Sequence, residues 1–262
     1  MDKNDNIDEA ATLVKGGSAA IMGGILAICQ SLSQEPAVVF GLGIANAIMP
    51  NVIDYGARCL SLNERRRIDH VESFTLQEIL VHLREGHEPR RDGFLNINPE
   101  VRSSAQELCE GVLELARTEY QEAKLPHMAY LYASILFANT VPPNEANRLI
   151  RVLNALSYQE MCILAALSQE TAQDGLRKNS FSHEKGTEEF SSLMQECFKL
   201  EGQSLLFSED DDQGPSFGKS TWAHMVPAKI RVTEHGMKLI RLSKLSEIPE
   251  TYTRPIRETL SG

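Results

Sequence analysis

Between residues 60 and 167 the hydrophobic positions recur every three to four residues instead of alternating, so this stretch reads as a succession of amphipathic helices. Four Ser/Thr and Glu pairs at capping-box spacing punctuate it: Ser61 with Glu64, Thr75 with Glu78, Ser104 with Glu107, and Ser157 with Glu160. In such a box the hydroxyl accepts from the backbone amide three residues on, and the Glu carboxylate returns to the amide of the cap, so each pair predicts a helix start. Gly86 suits the left-handed residue that closes a helix, a loop with Pro89 and Gly93 follows, and Pro99 opens the next helical region. A helix over about 104–124 carries Leu108, Val112, Leu115 and Ala116 on one stripe. Pro126 fits the first turn of another, with Met128, Leu131, Tyr132, Ile135 and Leu136 at core spacing. After Pro142 and Pro143, the residues Ala146, Leu149, Ile150 and Leu153 make a further apolar face, and Met161–Leu167 is an apolar helix.

Past Leu167 the texture changes. Residues 168–188 are polar and read as a loop, and a helix over about 187–201 follows. Leu205–Phe207 reads as a short strand, 209–218 as an acidic loop, and Ala228–Val232 as a second strand. Thr233 caps a helix with Met237, Leu239, Ile240 and Leu242 available for packing, and Pro249 and Pro255 are expected to stop regular structure. Helices, a two-stranded ribbon and a closing helix follow the order of a winged helix. Thr233, Gly236 and Leu239 form a Thr-x-x-Gly-x-x-Leu pattern that resembles the wing strand and final helix of such domains. The expected fold class is mostly α, with an N-terminal apolar helical hairpin (1–60), a central helical bundle (61–167) and a small winged-helix-like C-terminal module with a two-stranded ribbon (168–262). No repeat of a solenoid period is visible.

The N-terminal segment differs from the rest. Gly16–Ile53 carries one formal charge, Glu35, in 38 residues. Small residues recur there at four-residue spacing: Ala19 with Gly23, Ala20 with Gly24, Gly41 with Ala45, and Gly43 with Ala47. That spacing lets two helix backbones approach closely. Charge-free runs of 19 and 17 residues flank Glu35-Pro36, at the short limit for crossing about 30 Å of hydrocarbon. Gly23, Gly24, Gly41 and Gly43 are therefore candidate membrane or helix-packing positions, in a hairpin that either enters a bilayer or is buried against the bundle.

Composition narrows the function classes. Apolar content of 42% and charge of 24% are ordinary for a globular chain, and the net charge of −10 disfavours general nucleic-acid binding. From Lys219 onward, however, eight Lys or Arg stand against four acids. The basic residues Lys229, Arg231, Lys238 and Arg241 are the candidate winged-helix contacts. The expected recognition helix carries Glu188, Glu189, Glu196 and Glu201 against Lys199, so DNA is disfavoured as its partner and protein favoured. Arg65, Arg66 and Arg67 form a candidate lipid or partner contact; ion pairing with Asp54, Glu64, Asp69 and Glu72 is the alternative. The five cysteines are scattered without ligand spacing, and His82 and His87 are five apart, off the spacing of a helical metal pair. No catalytic residue, metal or cofactor is expected from these patterns. The acidic N-terminus lacks the flank of a signal peptide, so the chain is expected to be cytoplasmic, with inducible association with the inner membrane.

Two stretches resemble a known family. Glu119–Asn139 and Leu149–Leu164, with Leu136, Ala138 and Asn139, then Leu156-Ser157 and Ile163-Leu164, look like helical bacterial proteins of the abortive-infection alpha type. The resemblance implies a bacterial or phage-related origin and a defence role, and supplies no active site. Taken together, the sequence points to a non-enzymatic phage-defence effector that associates with or disrupts membranes through its hairpin. Its partners are expected to be a protein or copies of itself. The alternative is a cytoplasmic winged-helix regulator or adaptor that binds DNA or protein.

Overall fold

The computed structural model describes residues 61–95, 102–169, 175–180, 187–209 and 221–261. The hairpin expectation over 16–53, with Gly23, Gly24, Gly41 and Gly43, lies outside these residues, as do Pro99 and most of the acidic loop. The chain divides into two compact units, Met1–Ala155 and Leu156–Gly262. The division falls before the apolar helix at 158–167, which packs with the elements after it.

The described part of the first unit holds four helices: α1 (Leu62–Arg84), α2 (Ser104–Thr118), α3 (Leu125–Ile135) and α4 (Pro143–Ala155). The Ser61–Glu64 box starts α1, with the Glu64 amide 3.3 Å from the Ser61 hydroxyl and the Ser61 amide 2.8 Å from the carboxylate. Thr75 and Glu78 do not start a helix. They lie inside α1, both buried, because nothing before them breaks the chain and the stripe Ile68, Val71, Leu76, Ile79 and Leu80 runs past them. At α2 the cap is Ser103 with Gln106, one residue earlier than Ser104 with Glu107. That helix stops at Thr118 and a short 3₁₀ turn, Glu122–Lys124, leads into α3. Leu125, Ala129, Leu131, Ala133 and Ile135 of α3 are fully buried, and α1, α2 and α4 pack on this helix. Burying each large apolar side chain contributes about 1.5–3 kcal/mol, so α3 is the core of the unit.

The second unit holds α5 (Tyr158–Leu167), α6 (Glu188–Gly202), β1 (Leu206–Ser208), β2 (Ile230–Val232), α7 (Glu234–Leu242) and α8 (Glu250–Ser261). Every residue of α5 from Glu160 to Leu167 is buried, the pattern of a helix covered on all sides. The ribbon is antiparallel, pairing Leu206 with Val232, Phe207 with Arg231 and Ser208 with Ile230. Pro255 does not end regular structure; it sits inside α8. A proline there removes one intrahelical bond, but Thr253, Ile256 and Leu260 bury the same helix face on either side of it and hold the helix together. Eight α-helices and one two-stranded sheet make the described residues mostly helical.

Candidate partner-binding groove

The sequence places Glu188, Glu189 and Glu196 along α6, and the fold decides what they face. Thr187 caps the helix by accepting from the Phe190 amide at 3.2 Å. Glu188 and Glu189 then occupy the first turn, where the helix dipole favours negative charge. Phe190, Leu193, Met194, Cys197 and Leu200 point into the unit, and burial pushes the Cys197 thiol up to about 12, which makes it an inert packing residue.

Glu188, Glu189, Ser192, Leu193 and Glu196 line one wall of an open groove of about 780 Å³, with Pro255, Ile256 and Thr259 of α8 opposite and Gln159 of α5 at its end. Leu193 and Ile256 give it an apolar floor, both 5% exposed. Among the described residues no Lys or Arg lines it. Glu196 is held above the usual carboxylate range, first by its burial and then by the nearby Glu160 carboxylate, with Lys199 opposing. Its Oε2 is buried and meets no hydrogen-bond donor among the described residues. Lys199 pairs with the buried Glu160 at 2.7 Å. The groove thus offers an apolar floor, two exposed carboxylates and one poorly solvated one, which suits a ligand with both cationic and apolar groups.

The basic residues singled out from sequence lie elsewhere in the unit. Arg231 is part of the ribbon's own structure: its guanidinium donates to the carbonyls of Ala228 at 2.7 Å and Ile230 at 3.1 Å and pairs with Glu209 at 3.0 Å. Lys229 and Lys238 are half-buried, and Arg241 is exposed on α7. The pattern Thr233, Gly236 and Leu239 is a junction. The Thr233 hydroxyl donates to Ser204 O at 2.7 Å and accepts from the Gly236 amide at 2.9 Å, while Leu239 is fully buried.

In the first unit, Arg65 and Arg66 are exposed and Arg67 is half-buried. Arg66 pairs with Glu122 at 2.7 Å, an acid that lies 56 residues away and not on its own helix. The cap at Ser61, backed by the Arg117 guanidinium at 2.8 Å, draws the Glu64 carboxyl down to about 2. Glu72 turns inward. Arg90 is buried, bonded to Asp92, and lies 4.0 Å over the Phe94 ring, so it anchors its loop and presents no surface charge. His82 and His87, apart by helical spacing, meet in space with their Nδ1 atoms 2.9 Å from each other. Helical spacing alone separates this pair; the left-handed turn at Gly86, which closes the helix between them, is what brings the two rings together. Among the described residues no helix is long and apolar enough to cross a membrane.

No protein-family model matches this chain, and comparison with curated proteins and with solved structures finds no match either.

Proposed function

We propose that the chain acts by binding, as a membrane-directed bacterial defence effector whose C-terminal, winged-helix-like unit docks a protein partner. The observation that carries the partner reading is the groove of α5, α6 and α8: Glu188, Glu189 and Glu196 around Leu193 and Ile256, with no Lys or Arg on its walls among the described residues. Its occupant is an amphipathic segment bearing Lys or Arg. Duplex DNA would bring phosphates against these same carboxylates, which like-charge repulsion penalises. The order α6, β1, β2, α7 supports the winged-helix likeness. On that likeness the acidic α6 would stand where a DNA-binding member needs Lys and Arg.

The effector part of the reading rests on the sequence of Gly16–Ile53, with its single charge and its small residues at four-residue spacing. Its test is the distribution of the expressed protein between cytosol and inner membrane, with and without co-expressed phage proteins. Recovery in the membrane fraction on phage exposure supports the effector. A chain that stays in the cytosol under every trigger and still binds its partner leaves the adaptor reading in its place.

A further inference from the structure

We propose that the C-terminal end of α1 is a zinc site, in which Nδ1 of His82, Nδ1 of His87 and the carboxylate of Glu85 ligate the ion and Glu78 orients the first histidine. The turn that ends α1 creates the juxtaposition. Gly86 takes φ +79°, its amide donates to Leu83 O at 3.1 Å, and the His87 amide donates to His82 O at 2.9 Å. This double closure is the Schellman arrangement, and it folds the sixth residue back over the first. The two imidazoles come to 5.1 Å between ring centres, and their Nδ1 atoms to 2.9 Å. Oε2 of Glu85 lies 3.5 Å from Nδ1 of His87, and one donor atom from each of the three residues falls within 4.8 Å of the others. Tetrahedral zinc with bonds of about 2.0–2.1 Å sets its donors about 3.3 Å apart. The observed separations bracket that value, so small side-chain movements complete the site.

The other side of His82 carries the second observation. Its Nε2 lies 3.3 Å from Oε1 of Glu78, whose side chain is 3% exposed, and 3.4 Å from the Ser134 hydroxyl. Oε1 of Glu78 is buried and as placed accepts no hydrogen bond from Nε2, so a small turn of the His82 ring would let Nε2 donate to it and leave the Nδ1 lone pair for a metal. Metal-ligating histidines are commonly held with the far nitrogen donating to a carboxylate. The Phe137 ring, 4.6 Å from the His82 ring, fixes its plane. Zinc binding needs both Nδ1 lone pairs, so the proton between the two nitrogens must pass to the far nitrogen of the ring that carries it. Two imidazoles and one carboxylate form a borderline donor set that suits zinc, with a water completing the fourth position. The bound ion would tie the end of α1 to the segment that Arg90 anchors on α3, where its amide donates to Leu136 O at 3.0 Å.

The test uses the full chain, reduced, stripped with a chelator and titrated with Zn²⁺ by calorimetry, with Co²⁺ absorption as a second readout. The parent chain is expected to bind one equivalent that both H87Q and E85Q lose, with a rise in Tm on zinc addition that disappears in both. The two residues are exposed, so these variants keep the metal-free helical signal and Tm of the parent. E78Q is expected to keep the stoichiometry and weaken affinity about ten- to a hundredfold. No zinc binding by the parent, or the same stoichiometry and affinity in H87Q and E85Q as in the parent, overturns the site. Unchanged affinity in E78Q overturns the role given to Glu78.

Discussion

The carbonyl oxygen of Leu205 fills the space that a side chain at Gly236 would need: a Cβ there would stand 2.4 Å from it and 2.8 Å from Cγ1 of Val232. The same carbonyl accepts from the Thr233 amide at 3.0 Å. The start of α7 is therefore locked to the end of α6 and to the ribbon by backbone contacts that cannot give way. Gly236→Ala is expected to destabilise the second unit by about 1–3 kcal/mol, the range for overpacking a closed site. Thr233→Ala removes the cap and the Ser204 bond and is expected to cost about 1–2 kcal/mol. Urea unfolding followed through Trp222, which lies in this unit, measures both.

Glu72 gives the first unit a pH dependence. Burial pushes its carboxyl up to about 7 from an ordinary 4.5, and Asp69 adds to the shift. The folded chain then holds a proton that the unfolded chain has already released, so stability falls as pH rises between these two values. It is flat with respect to this group below the lower value and above the upper one. The loss across the window is up to about 3 kcal/mol. Glu72→Gln is expected to flatten the profile and to be the more stable protein at pH above the window. Chemical denaturation of both proteins across a pH series checks this.

Lys124 and Glu119 form a buried ion pair where α2 passes into α3, with Lys124 Nζ also donating to Asn154 O at 2.8 Å and the Gln121 amide donating to Glu119 at 2.8 Å. Lys124→Met leaves the carboxylate buried and unpaired and is expected to cost about 3–5 kcal/mol. Combining it with Glu119→Leu should recover a large part of that loss, because no buried charge then remains. A double-mutant cycle read by thermal unfolding separates the pair from its surroundings.

The helices of the bundle and both ribbon strands were legible because their apolar stripes and caps act locally. The failures have local causes too. Thr75 and Glu78 share the spacing of a capping box, but a three-residue spacing also recurs inside any helix, and only a break before it makes a start. Pro255 is a stop signal that the burial of Ile256 and Leu260 overrides. The acids of α6 were readable as a charge pattern. Their groove was not, since its other wall, Pro255 and Ile256, comes some 60 residues later. His82 and His87 were dismissed on helical spacing, and a left-handed glycine between them reverses that geometry.

The membrane reading makes its own prediction from sequence. Gly24→Asp or Gly43→Asp puts a carboxylate into a charge-free run and is expected to abolish dye release from anionic vesicles. Full release by both variants, or none by the parent chain under any trigger, contradicts insertion of this segment.

The central claim is that the second unit is charged for a basic protein segment and against DNA, and one paired titration tests it most directly. The full chain is titrated against a labelled amphipathic Leu/Lys helical peptide and, in parallel, against a labelled DNA duplex, with anisotropy as the readout. Peptide binding should weaken with salt and be lost in the Glu188→Lys, Glu189→Lys double variant. The duplex should bind no better than about 10⁻⁴–10⁻⁶ M at physiological salt. Peptide affinity that ignores the groove variants, or nanomolar and sequence-selective binding of duplex through Lys229, Lys238 and Arg241, would contradict the account.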